Sequence, residues 1–475
     1  MKLPALLAAF VCGFGAFSIA APATQKQSAR TALTGGTVIN PRDGRIIPNA
    51  VVLIEGDTIE SVAPLSEAKP EPDARVIDCA GKFIVPGYID THVHFFQSGG
   101  LFTRPDVVDL NSVRPYADEI AEVKRTLPDT FVRHLRSGIT AVVDVGGPLW
   151  NFDVRKVASK TAKAPRVAVA GPLISSVARP QLDRGDAPIV QIETPEKGRE
   201  LVRKLAAQKP DYIKIWYVVS PDSPVEKFRP IAQAVIDESR LRKLRVAVHA
   251  TELDAARTAV ELGADLLVHS VTDKPVDEAF VRLLQARGTI LTPTLVVFER
   301  YSRTFAHRLE LTDEEKRWGS PDVIGTLDVT KLPEGKTPPR IADALENADA
   351  VLERVRQTHE IALKNLKTLH DAGIPIATGT DAGNIGTIHG PSIFREFQLM
   401  REAGLTPMQI LQCTTATAAR AFGGQTGAKL GAVEPRKFAD LVILNSNPLG
   451  DIARTSDIHM VVKNGVAYPA DAIMP

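Results

Sequence analysis

The chain is poor in cysteine. Of three residues in 475, Cys12 falls in an N-terminal apolar stretch, so Cys79 and Cys413 alone cannot form a disulfide scaffold. They read as small buried hydrophobes, with a single pairing between them left open. Excess charge of one sign is also missing. Lys plus Arg number 57 against 56 for Asp plus Glu, a formal net charge of +1 that gives no electrostatic reason to expect nucleic acid or an anionic membrane as a partner. Beyond the N-terminus no run reaches the roughly 18 consecutive apolar residues of a membrane span. A glycine-rich dinucleotide fingerprint after the first strand-like run is absent, which weakens an open, doubly wound sheet.

What is present is ordinary globular composition, 44% hydrophobic and 24% charged, in a chain long enough for one large barrel with an attachment. Met1-Lys2, the apolar Leu6 to Val11 and the Ala21-Pro22-Ala23 exit have the three parts of a secretory signal. Residues 1–23 are therefore expected to be removed. The mature protein would be secreted or periplasmic, without stable membrane insertion.

From Thr31 to Arg75 short alternating segments are separated by Asp43-Gly44 and Gly56-Asp57 turns, and the same texture returns in Ala439 to Leu444 and Met460 to Gly465. Two half-sheets at opposite chain ends meet most simply in one small β-sandwich, assigned to 24–84 and 426–475. Between them eight β-branched runs begin at Phe83, Thr140, Arg166, Tyr212, Val246, Asp265, Thr289 and Ile376, with helical signals between several of them. This pattern predicts an α/β fold, a (β/α)8 TIM-type barrel over 85–425. Two segments exceed normal loop lengths, Phe95 to Ala117 and Glu299 to about Asp349. Both leave C-terminal strand ends, so each is either a site cover or a solvated insertion.

The barrel gives meaning to scattered residues. His92 and His94 follow the first run at i and i+2, a spacing that lets two imidazoles meet one ion. His249, His269 and Asp381 each stand at another strand end, and a parallel barrel delivers all such ends to one rim. In Tyr212-Ile213-Lys214-Ile215-Trp216, alternation turns Lys214 inward if the isoleucines face the helices. A buried ammonium needs compensation. Lys214 could pair with a carboxylate, form a Schiff base, or take up carbon dioxide as a carbamate, which the surrounding histidines and aspartate favour over the Schiff base. Of the other histidines, His134, His307, His359, His370 and His459 sit in helical or exposed-looking contexts, and His389 follows the last strand, as a substrate contact or a loop cap.

Together with Val85 to His94, Ser137 to Thr140, Thr380 to Gly383 and the closing Phe438 to Leu444, this set resembles the amidohydrolase superfamily, in particular its imidazolonepropionase-like and prolidase-like members. The resemblance implies hydrolysis of an amide or related C–N bond by water activated on divalent metal, usually zinc. It places one ion on His92, His94 and Asp381 and a second on His249 and His269, with carboxylated Lys214 between them. Asp381 would then move the proton from water to the leaving amine. The expected substrate is a small dipeptide or N-acyl amino acid, and a homo-oligomer is left open. The alternative is a one-metal cyclic amidohydrolase or deaminase, for which His249-Ala250-Thr251-Glu252 supplies a glutamate as proton carrier. A Gly-Gly-His after strand three is replaced by Val177-Ala178-Arg179-Pro180, so substrate contacts do not carry over; Tyr217, Arg179 and Arg184 are the candidate partners of a substrate carboxylate.

Overall fold

The computed structural model describes residues 30–474; the expected signal segment, 1–23, lies outside them. The N-terminal strands are β1 (Arg30–Asn40), β2 (Arg45–Glu55), β3 (Thr58–Pro64), β4 (Arg75–Asp78) and β5 (Phe83–Pro86). The parallel strands follow as β6 (Tyr88–Val93), β7 (Ile139–Asp144), β8 (Arg166–Val169), β9 (Leu173–Ser175), β10 (Ile189–Gln191), β11 (Tyr212–Trp216), β12 (Arg245–His249), β13 (Leu266–Val268) and β14 (Ile290–Thr292). Three C-terminal strands close the chain, β15 (Leu441–Leu444), β16 (Ile458–Lys463) and β17 (Val466–Pro469).

Both chain ends enter one mixed sheet, ordered β17-β16-β15-β5-β1-β2-β3 with β4 also on β1. Its apolar residues converge in one cluster that includes Leu33, Val52, Ile84, Leu441 and Val462, from both termini. Cys79 belongs to this cluster and Cys413 to the core around the barrel; both are buried free thiols.

The first run, starting at Phe83, pairs with β1 and β15 instead of entering the barrel, whose first strand is Tyr88–Val93. Gly87 is the joint. A Cβ there would stand 2.2 Å from the Thr140 hydroxyl oxygen, so only glycine lets the chain pass from sheet to barrel against β7.

β6-β7-β8 and β9-β11-β12-β13-β14 form parallel arrays. The Asp211 amide donates to the Val169 carbonyl at 2.8 Å, joining the second array to β8. Residues 375–382, the eighth strand position, bridge Leu291 on one side through Ile376 and Val93 on the other through Ala382, which completes the (β/α)8 barrel. The inner cluster mixes small Ala141, Ala168, Ala247 and Ala377 with larger Ile89, Tyr212, Leu266, Val268 and Ile290, while Ile213, Ile215, Val246 and Val248 belong to the surrounding core. The helical stretch behind strand eight contains a π turn, Cys413–Thr417, whose Cys413 carbonyl accepts from the Thr378 amide at 3.1 Å and so fixes that strand. Cys413 itself is packing.

The two long segments pack on each other. Leu101, Val108 and Leu110 of the first share an apolar cluster with Phe305, Leu327, Val329 and Ile341 of the second and with Ile385 and Ile388. Together they form a roof over the C-terminal rim, and they contribute Arg104, Val107, Tyr301 and Arg340 to the cavity beneath. No helix among the described residues is long and apolar enough to cross a membrane.

Candidate metal centre

Strict alternation from Tyr88, whose hydroxyl reaches outward to the Thr455 carbonyl, would turn His92 away from the barrel mouth. A register irregularity between Asp90 and Val93 resets the strand, and His92 faces the cavity. His94 follows immediately, its amide bonded to the Ala382 carbonyl at 2.9 Å. His269 and Asp381 are held at φ of +78° and +61°, left-handed conformations costly for residues with a Cβ. Each reversal at a strand end places the side chain over the mouth. Gly379 lets the eighth strand approach, since a Cβ there would lie 2.8 Å from that of His92.

The predicted ligands meet in one place. Asp381 Oδ1 lies 3.3 Å from His92 Nε2 and 3.2 Å from His94 Nε2. The His92 and His269 rings are 4.8 Å apart between centroids, and those of His249 and His269 4.5 Å. Ligand atoms of His92, His269 and Asp381 all fall within 4.8 Å of one another. Lys214 lies on β11 in register with the small Ala247 of β12, and it lines the same cavity, of about 350 Å³.

The donors suit a cation. Both ring nitrogens of His92, Lys214 Nζ and Asp381 Oδ1 are buried without a hydrogen-bond partner, a cost that bound metal would relieve. Burial, followed by the Lys214 charge, holds His92 and His249 well below the usual imidazole range; for His269, burial and then His249 do the same. Neutral imidazole is the ligating form. Burial also pushes the Lys214 ammonium down to about 7, against the opposing pull of Asp381. Neighbours orient the ligands: His94 Nδ1 donates to the Gly146 carbonyl at 2.6 Å and His269 Nδ1 contacts Thr294 Oγ1 at 2.6 Å, so each ring directs Nε2 inward.

Asp90, quoted in the first-strand motif but given no role from sequence, clasps two ligand segments. Its carboxylate accepts from the His92 amide at 3.1 Å and from the Thr380 amide and hydroxyl at 3.1 and 2.6 Å. Its pairing with Thr380, 290 positions away, leaves no pattern in either segment alone.

Other candidates fall elsewhere. Tyr217 lies one residue past the end of β11, fully buried against Phe228, with its hydroxyl donating to the Val225 carbonyl; it does not line the cavity. The alternation that turns Lys214 inward turns Tyr217 outward. His389 tethers a loop, with Nε2 at 2.9 Å from the Gln97 carbonyl and its ring stacked on Phe95 and adjoining His134, and it too stays outside the cavity wall. Arg184 packs over Tyr116, and Arg179 stands over Trp216 with Asp106 at 3.5 Å. Glu252 precedes the helix Leu253–Leu262, half-buried and outside the cavity lining, and burial raises its carboxyl.

A (β/α)8 barrel with histidines, an aspartate and a buried lysine converging at its C-terminal rim defines the class of metal-dependent barrel hydrolases. Residues 83–467 match the Amidohydrolase family, and the chain belongs to it. Over 436 residues, 84% of each chain, it is 24% identical to an imidazolonepropionase of Geobacillus kaustophilus. A shorter stretch of 80 residues is 40% identical to an adenine deaminase of Moorella thermoacetica, spanning 17% of this chain and only 13% of that relative. Among solved structures, a Xaa-Pro dipeptidase with bound methionine in the active site has a TM-score of 0.69 at 21% identity, covering 93% of this chain and 100% of the other. A prolidase complexed with N-methylphosphonate-L-proline has a TM-score of 0.69 at 25% identity, covering 93% and 99%.

Proposed function

We propose that this chain is an exported hydrolase of a small amide, a dipeptide or an N-acyl amino acid, working with two divalent cations, zinc by the donor set. The observation that carries this reading is Lys214, a buried amine without a hydrogen-bond partner amid the histidines and aspartate. Its neutral nitrogen can add to the carbon of carbon dioxide and release a proton, giving a carbamate whose two oxygens suit a pair of cations. His92, His94 and Asp381 would hold one ion, His249 and His269 the other, and carboxylated Lys214 both. When bound, the cations lower the pKa of water and polarise the scissile carbonyl.

The protein's own residues do the rest. The Asp381 carboxylate accepts a proton from the attacking water and passes it to the amide nitrogen as the C–N bond breaks, so that a carboxylic acid and an amine form and the acid gives its remaining proton to solvent. Its backbone is fixed by the Asp381 amide on the His92 carbonyl at 2.7 Å, and Asn384 Nδ2 reaches the Asp381 carbonyl at 3.2 Å. Trp216 and Phe298 supply aromatic surface to the cavity wall. The comparisons support the reading through a prolidase and a dipeptidase of the same fold. Glu252, the proton carrier required by the one-metal alternative, stands outside the cavity lining, which favours two metals. The apolar leader at 1–23 supports export.

A panel of dipeptides and N-acyl amino acids, assayed by amine release before and after chelation, tests this directly. We expect turnover of a subset, loss on chelation and recovery with added zinc. Turnover that survives full metal removal, or hydrolysis confined to cyclic amides and amidines, would contradict it.

A further inference from the structure

The cavity wall contributed by the two insertions differs in chemistry from the ligand cluster. Arg104 is already satisfied: its Nε and Nη2 donate to the two Asp106 carboxylate oxygens at 2.7 and 2.8 Å, and its Nη1 to Asn384 Oδ1 at 2.7 Å and Tyr301 Oη at 3.0 Å. Arg340 lines the same cavity from the second insertion, and it has no carboxylate partner among the described residues. Its contacts are the Val107 carbonyl at 3.4 Å and the Phe305 ring at 5.5 Å. Arg340 is exposed and also borders two neighbouring surface cavities, so it stands where the site opens. The sole acidic residue lining the cavity among the described residues is Asp381, which belongs to the ligand cluster. The lining also includes apolar Leu173, Ile189, Val297 and Phe298, alongside polar Tyr301 and Asn384.

We propose that Arg340 anchors a free carboxylate on the substrate, and that the amide cleaved belongs to an acid-terminated N-acyl amino acid or dipeptide whose bulky apolar side chain lies against Phe298, Leu173 and Ile189. The inference rests on the hydrolase reading above and narrows its substrate class. An unpaired guanidinium presents a planar fork that takes a carboxylate bidentately. Arg104 does not serve, because Asp106 already occupies its fork. Neutral amides would leave Arg340 without a counter-charge and forgo the orientation that such a pair gives.

The test compares N-benzoyl-L-phenylalanine with its C-terminal amide, on the metal-loaded full chain. Two readouts are taken: kcat/KM for benzoyl release, and quenching of tryptophan fluorescence, Trp216 being in the cavity wall. The acid should be preferred, and Arg340→Gln should lower the acid-to-amide ratio of kcat/KM by about 10- to 100-fold through KM, the range for losing a charge-assisted pair. Arg340→Lys should recover part of it. Arg340 is exposed, so these variants should keep the wild-type melting temperature. Wild-type cleavage of both compounds with a ratio unmoved in Arg340→Gln would overturn the anchor and leave the hydrolase reading intact. Arg340-dependent binding of the acid with neither compound cleaved would support the anchor and count against the hydrolase reading.

Discussion

Lys214→Ala should lose most of its metal and most of its activity together. Removal of a group that merely orients a ligand already weakens metal binding about 10- to 100-fold, and a bridging group should matter at least as much, so turnover should fall by more than about 100-fold. The substitution replaces a side chain 1% exposed and leaves a void in the barrel. Lys214→Met fills that void and separates packing from chemistry: it should melt close to the wild type and be equally inactive. Formate, acetate or propionate should restore part of the metal content and turnover in Lys214→Ala by putting carboxylate oxygens back between the histidines. Full metal loading with full activity in either variant would mean that the lysine bridges nothing.

Asp381→Asn should separate proton transfer from metal binding. The amide keeps an oxygen where Oδ1 stands, 3.3 Å from His92 Nε2 and 3.2 Å from that of His94, but it cannot accept the water's proton. Loss of a general base lowers turnover about 10²- to 10⁴-fold. Metal on His249 and His269 should persist, with some weakening at His92 and His94. The parallel variant is Glu252→Gln, in which the half-buried carboxyl beyond the cavity lining is neutralised. It should change turnover only a few-fold. A collapse in Glu252→Gln beside a mild Asp381→Asn would reverse the assignment and point to the one-metal deaminase chemistry. Comparison of the two variants by mass-spectrometric metal count and amide turnover distinguishes these cases.

The convergence of His92, His94, His249, His269 and Asp381 on one cavity was legible in the sequence because each ends or follows a strand-like run, and a parallel barrel gathers strand ends whatever their separation. Lys214 was legible because the isoleucines on either side fix its face. Other features depend on contacts that no local pattern announces. The chain leaves the end sheet at Gly87, and the run that starts at Phe83 is not the first barrel strand, because Phe83–Pro86 finds partners in β1 and β15, the latter more than 350 positions away. His92 faces the mouth through the irregularity between Asp90 and Val93, which simple alternation would not have given. Arg104 and Arg340 were missed because they sit on the two insertions, which have no strand periodicity; only their shared apolar cluster brings them over the rim. Tyr217, a candidate partner of a substrate carboxylate from sequence, lies on the opposite face of the chain from Lys214 and packs against Phe228.

The central claim is a pair of metal ions joined by a carboxylated Lys214, and the most direct measurement is a crystal structure of the zinc-loaded protein grown with bicarbonate, with data collected at the zinc absorption edge. Two anomalous peaks are expected, one among His92, His94 and Asp381 and one between His249 and His269, with density for three additional atoms on Lys214 Nζ lying between them. A single peak beside an unmodified lysine, from protein that is fully active, would contradict it.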